Sequence, residues 1–268
     1  MKTEILSTWA NLQRWLGRYK AGQKEFAFRG QAESAWPLRT SLARHFLAHT
    51  DIVMANHWWR RELKMYRIFR ERLLDACSGM YDAWEPLDIL SLMQHHGCPT
   101  RMLDFTFSPR VAACFALKDA RGKSAVWIVD RTSLDRRRAE MKLPDYCGPE
   151  HNPEYHKFQK HEVTDHRLIG SILEPKRLNE RLAAQRGCFF VPGAISAKVE
   201  DELVHTKVTL SEGLAIESLA RLSELGLDED HLFPNLDKLA DEAERLSVAG
   251  GPDFPEREKP GSSSGVSG

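Results

Sequence analysis

The sequence predicts a single α+β domain: a small mixed or antiparallel sheet surrounded by several helices. Three observations predict it. Stretches with apolar residues at helical spacing dominate the first hundred residues. Apolar runs of strand length are scattered among them at irregular intervals, without the strand–helix–strand alternation of a doubly wound sheet. No internal repeat is present, and composition shifts only near Ala249. A chain of 268 residues is long enough for one substantial core.

Taken in order, Ile5, Trp9, Leu12, Trp15, Leu16 and Tyr19 recur at helical spacing and predict an opening amphipathic helix that ends near Gly22. Phe26-Ala27-Phe28-Arg29 predicts a short strand, stopped by Gly30. Pro37, Leu38, Leu42 and Phe46 fit a turn into a short helix. A long helix is expected over 51–77, with Leu63, Tyr66, Phe69 and Leu73 as its buried stripe. The adjacent Trp58 and Trp59 need two packing surfaces. Pro86 marks a helix start, and Leu87, Leu90, Leu92 and Met93 lead to a terminus at His95-His96-Gly97. Another helix follows Pro109, and 124–130 reads as the clearest buried strand.

The stretch 132–167 is polar and His-rich and reads as an insertion or long loop carrying some helix. Beyond it come a strand at 171–175, a helix over 177–185 stopped by Gly187, and strands at 188–191 and 203–210. Helices over 212–225 and 236–246 are separated by Phe233-Pro234-Asn235. The domain is therefore expected over 1–248. The Gly-, Pro- and Ser-rich 249–268 is expected to be a flexible tail, with too little apolar surface to offset its ordering entropy.

Lys plus Arg equals Asp plus Glu at 38 each, so no net field draws the whole surface to nucleic acid or an anionic membrane. The basic run Arg136-Arg137-Arg138 reads as a solvated helix face. The first fifteen residues lack the apolar core of a secretory signal, and no run reaches the ~20 apolar residues of a membrane span. Five scattered cysteines without a Cys-x-x-Cys pair suit a reduced cytoplasmic protein. His95, His96 and Cys98, and the series Cys147, His151, His156, His161 and His166, invite a metal reading. Adjacent histidines diverge on a helix and a five-residue period spreads around it, so no metal site is expected.

Two segments concentrate polar groups beside Gly and Pro: Phe28-Arg29-Gly30-Gln31, and Gln94-His95-His96-Gly97-Cys98-Pro99-Thr100-Arg101-Met102-Leu103-Asp104-Phe105-Thr106. Buried polar groups need mutual partners, so the strand ending at Arg29 is expected to pack close to the Thr100–Asp104 turn despite about seventy intervening residues. Arg29 at a strand end suits bidentate phosphate or carboxylate binding, with Gly30 allowing close approach. It equally suits an ion pair, with Asp104 as a partner. Arg101 and Asp104 lie three apart and can pair with each other. Thr100 and Thr106 can orient a ligand or cap local backbone. His95 can act as general acid or base, or simply close its helix.

These segments resemble the FRG domain, a prokaryotic family named for its aromatic-Arg-Gly motif. Gln94, His95, Gly97, Pro99, Thr100, Arg101, Leu103, Asp104 and Thr106 match its central pattern. His96 stands where the family often has an aromatic, and Phe105 where it often has Trp. The segments 178–190 and 232–237 also look familial, so the resemblance spans most of 20–246. Such proteins are associated with defence and toxin-like loci, with no common reaction established.

The order of a strand-borne Arg29, a central polar turn and a late Gln185 before a strand looks remotely like ADP-ribosyltransferase-type folds. That resemblance implies NAD as ligand: Arg29 on the pyrophosphate and Gln31 aligning it, with Thr100, Arg101, Asp104 and Thr106 about the pocket. Gln185 or Glu180 would orient the ribose hydroxyls, and Arg29, His95 and Gln185 would be the catalytic candidates. Nicotinamide would depart through an oxocarbenium-like state stabilised electrostatically. Gln185 departs from the acidic residue of such enzymes. A non-catalytic module that senses an anionic ligand or binds a protein partner is the alternative. A nuclease ranks last, without clustered metal-binding carboxylates or a basic surface.

Overall fold

In the computed structural model of the chain, the described residues are 3–20, 22–48, 58–77, 79–142, 169–177, 180–192, 199–203 and 205–224. All lie within one compact unit, 1–233. The predicted helix over 236–246 and the tail over 249–268 fall outside the described residues, as do Cys147, His151, His156, His161 and His166.

The order of elements is β1 (Thr3–Leu6), α1 (Trp9–Leu16), β2 (Phe26–Gln31), α2 (Ser41–Ala48), α3 (Trp58–Ala76), α4 (Pro86–His95), β3 (Leu103–Thr106), α5 (Pro109–Leu117) and β4 (Ser124–Asp130). After these come α6 (Arg131–Glu140), β5 (Ser171–Leu173), α7 (Glu180–Ala184), β6 (Gly187–Val191), α8 (Val199–Glu202), β7 (His205–Leu210) and α9 (Glu212–Glu224). The strands form one sheet of seven in the order β1-β7-β4-β2-β3-β6-β5. Only the β1–β7 pair is parallel, so the sheet is mixed and the fold is α+β. No helix among the described residues is long and apolar enough to cross a membrane.

Helices cover both faces. Phe28, Val126, Ile128, Val208 and Leu210 meet Leu12 and Trp15 of α1, the small residues of α5 and Leu214 of α9. At the other end of the sheet, Leu173, Phe189 and Val191 pack with Tyr66 of α3, Leu90 and Met93 of α4 and Leu182 of α7. The opposite face carries Ala27, Trp127, Val129, Leu103, Phe105 and Phe190 against Leu134 of α6 and Val199 of α8.

Several boundaries differ from the sequence reading. The opening helix does not include Ile5. That residue sits in edge strand β1, 66% exposed, and only mimics the helical stripe by standing four residues before Trp9. Thr8 starts α1 by accepting the Asn11 N–H on its hydroxyl, and the helix ends at Leu16, not near Gly22. Gly187 opens β6 instead of merely stopping a helix, because the turn is made at Arg186, whose φ of 48° lies in the left-handed region. The segment 103–106, for which the sequence reading predicts no strand, is strand β3. The long helix is described from Trp58, with 51–57 outside the described residues.

Gly30 does not stop β2; the strand runs through it to Gln31. A Cβ at position 30 would stand 2.0 Å from the Ala112 carbonyl oxygen and 2.6 Å from the Ala116 nitrogen. Helix α5 therefore crosses β2 in contact with its backbone, which the alanines at 112, 113 and 116 also permit. The motif glycine serves helix-on-strand approach.

Candidate functional site

Strands β2 and β3 pair at one register position only, Phe28 with Thr106. By contrast, β2 pairs with β4 over six positions and β3 with β6 over four. On the side of Arg29–Gln31 and Leu103–Phe105 both chains continue as strands without pairing each other. A cavity of about 260 Å³ opens there, walled by α4, α5, α7 and the sheet. Its apolar lining is Phe28, Phe105, Phe115, Leu182 and Phe189; its polar lining includes Arg29, Gln94, His95, Asp104, Arg181 and Gln185.

Arg29 reaches across the unpaired stretch. Its Nη1 donates to the main-chain oxygen of Asp104 at 2.8 Å, while the Asp104 carboxylate stands at 4.0 Å, too far to accept a hydrogen bond. The side chain is 19% exposed. Its Nε is buried and makes no hydrogen bond, a state that asks for a water or a ligand. Burial pushes the guanidinium pKa down, Asp104 opposes that shift, and the charge of Arg44 adds to it. Arginine remains protonated through all such shifts. The pairing of strand and turn that the sequence predicts is therefore present, with the main-chain oxygen as the direct partner.

On the facing wall, Ser91, Gln94 and His95 project from one face of α4 at the i, i+3, i+4 spacing. Gln94 links the rest of the motif. Its Oε1 accepts from the Thr100 hydroxyl, and its Nε2 donates to Asp104 Oδ1 at 2.5 Å. Burial holds the His95 pKa below its ordinary value, and the neighbouring His96 and Arg181 push it the same way. His95 is therefore a neutral imidazole at pH 7. Arg181 and Gln185 come from α7 and the residue after it, four apart and thus on one side. Thr106 donates its hydroxyl to the Gln185 main-chain oxygen at 2.6 Å and accepts from the Ser108 N–H, which ties β3 to the α7–β6 turn.

Of the residues the sequence singles out, Arg29, Gly30, His95, Asp104, Thr106 and Gln185 share this cavity. Gln31, Thr100 and Arg101 do not line it. Gln31 points to the opposite face, where its Oε1 accepts from the Trp127 indole at 2.6 Å. Thr100 is fully buried behind Gln94. Arg101 is 0% exposed and clamps Glu62 of α3, which is 1% exposed. Its Nε donates to both carboxylate oxygens at 3.0 and 2.8 Å, and its Nη2 also donates to Oε2. These three side chains hold the frame. The pairing of Arg101 with Asp104 that the spacing allows is replaced by this pair, because α3 lies against the turn.

Gln94, Ser91, Phe115, Arg181, Leu182 and Phe189 belong to the cavity without having been assigned a site role from sequence. The signal for Ser91 and Arg181 was the i, i+4 spacing back from His95 and Gln185, and for Gln94 its place beside His95 in the central motif. The aromatic ones looked like ordinary core. No group of three or more His, Cys, Asp or Glu among the described residues is placed to hold a metal ion.

Residues 24–125 match the family model of the FRG domain. No curated protein and no solved structure matches the chain.

Proposed function

Residues 24–125 match the FRG domain, and on that premise we propose that the cavity between β2 and β3 binds a phosphate-bearing nucleotide, with NAD as the first candidate. One observation carries the reading: Arg29 stands in the cavity wall with only one nitrogen of its fork engaged among the described residues. A guanidinium beside an aromatic-lined pocket binds phosphate bidentately, and Arg181 adds a second positive charge. Among the described lining residues, two guanidiniums stand against the single carboxylate of Asp104. At about 260 Å³ the cavity lies just below the roughly 300–1,000 Å³ of sites that enclose drug-sized ligands. It accordingly encloses one nucleotide half of a dinucleotide and leaves the other half outside.

If the nicotinamide half is enclosed, the chemistry that fits is departure of nicotinamide with the electron pair of the broken ribose–nitrogen bond, while the ADP-ribosyl group bonds to water or another acceptor. The site's contribution is electrostatic and positional. Arg29 and Arg181 would fix the phosphates, Gln185 of the cavity lining would orient ribose hydroxyls, and neutral His95 would accept the proton released by an attacking water. Such an activity suits an NAD-consuming effector of the defence or toxin type that the family resemblance implies. Position 185 carries an amide instead of a carboxylate, and this favours the second reading, a module that binds the nucleotide without turning it over.

Calorimetry with NAD, followed by chromatography for free nicotinamide, separates the two. Heat with nicotinamide release is expected for the enzyme, and heat alone for the binding module. Absence of both at millimolar NAD overturns the dinucleotide reading.

A further inference from the structure

Asp104 is the only carboxylate among the described residues lining the cavity, and neither the family match nor the arginine-based reading gives it a task. Its position is unusually well defined for a side chain 69% exposed. Oδ1 accepts the Gln94 amide at 2.5 Å, and Gln94 is itself held by the buried Thr100 hydroxyl. Oδ2 makes no hydrogen bond among the described residues, because Arg29 Nη1 stands at 4.0 Å and donates instead to the main-chain oxygen of the same residue. The chain from Thr100 through Gln94 thus presents one lone carboxylate oxygen beside the guanidinium that would grip an anion.

An ionised carboxylate only accepts hydrogen bonds, and it repels a second anion at close range. A bare phosphate on Arg29 would sit near Asp104 with nothing to shield the two like charges. A ligand whose phosphate is followed by hydroxyl groups places donors on that oxygen and removes the conflict. We infer that Asp104 is a specificity-determining residue that selects phosphorylated sugars bearing free hydroxyls, the ribose of a nucleotide among them. Gln94 is the positioning residue that aims it. This rests on the proposed nucleotide site and narrows its ligand class.

The probes are inorganic pyrophosphate, ribose 5-phosphate and 2-deoxyribose 5-phosphate, with binding followed by calorimetry or by NMR shifts on the full chain. Wild-type protein binds ribose 5-phosphate more tightly than the deoxy compound, roughly tenfold or more for one lost charged hydrogen bond. Asp104→Asn keeps side-chain volume and leaves the Arg29 bond intact, because that bond is to the main chain. It erases most of the sugar discrimination and tightens pyrophosphate binding. A merely structural aspartate would not improve affinity for any ligand. Gln94→Leu reduces discrimination in the same direction while Asp104 remains.

Probes that bind in an Arg29-dependent manner with equal affinity for the two sugars, and unchanged pyrophosphate affinity in Asp104→Asn, overturn the inference and leave the arginine site standing. Failure of all three probes at millimolar concentration overturns the phosphate site and the inference with it. A thermal melt of each variant shows that lost discrimination is not lost folding.

Discussion

The cavity wall around Arg29 and the seam around Arg101 both draw on the motif segment 94–106, yet they treat a guanidinium in opposite ways. Arg101 is sealed from solvent and forked onto Glu62, with both carboxylate oxygens engaged. Arg29 spends one nitrogen on a main-chain oxygen and keeps the rest of its fork at the edge of a cavity. The first arrangement joins α3 to the turn before β3. The second has capacity left over. A charged residue in a motif is thus no guide to a ligand until its partners are counted.

The largest expected effect tests the seam. Removing one member of a buried ion pair strands the other charge and typically costs about 3–5 kcal/mol. Glu62→Ala should therefore lower the melting temperature by roughly 10 °C in a domain of this size. The double replacement Glu62→Leu with Arg101→Met should recover most of that loss, since apolar residues of similar volume remove the stranded charge. Thermal melts of the wild type and both variants decide it, and a Glu62→Ala protein that melts like wild type would show that the pair contributes nothing to stability.

Next in size is Gly30→Ala. The added methyl meets main-chain atoms of α5, which cannot rotate away, so the helix must shift at a cost of roughly 1–3 kcal/mol or more. Because α5 carries Phe115 into the cavity wall, ligand affinity should fall along with stability. Urea denaturation with parallel NAD titration tests the coupling; loss of stability alone would mean that α5 moves without disturbing the cavity.

How much of this contrast the sequence carried depends on which partner was local. The strand cores at 124–130 and 188–191 and the helices after Pro86 and Pro109 were legible because their periodicity and caps lie within the element. The meeting of Arg29 with the segment ending at Asp104 was legible because both placed polar groups beside Gly or Pro. The division of labour between Arg29 and Arg101 was not. It is set by Glu62, 39 residues before Arg101 on a helix whose stripe gives no sign of an inward carboxylate. Strand β3 was missed because its four residues are too few for alternation to show. Gly30 was legible as special and misread in cause, since the helix that crosses it lies far downstream, at Pro109–Leu117.

Arg29→Lys reverses the pattern expected at the seam. A lysine keeps the positive charge and loses the planar fork, so binding of NAD should weaken about ten- to a hundredfold. Stability should change by no more than about 1 kcal/mol, the worth of one hydrogen bond to the Asp104 main-chain oxygen. Calorimetry and a melt on the same preparation test it. Equal damage to fold and binding would move Arg29 into the class of Arg101.

The smallest effect concerns His95, which differs from both arginines in that its charge changes within the physiological range. In the free protein burial, His96 and Arg181 hold its pKa below 6.5. Its contribution to folding therefore favours the native state as pH rises through the window between the folded value and 6.5, and is lost as pH falls through it. Phosphates bound in the same cavity add negative charge and raise that pKa, so binding draws a proton onto His95. By linkage, affinity for NAD then grows as pH falls from the bound-state to the free-state pKa, and levels off below it. NAD suits the measurement because its diphosphate stays ionised across this range. The expected gain between about pH 8 and about pH 5.5 is less than about tenfold, because a larger gain would require the bound-state pKa to stand more than about one pH unit above the free-state value. It should appear as proton uptake when calorimetry is repeated in buffers of different ionisation heat. His95→Gln should abolish both the uptake and the pH slope while leaving the dependence on Arg29. A slope of the opposite sign would mean that the bound ligand needs the imidazole neutral, as an acceptor held by a ligand hydroxyl instead of a partner for phosphate.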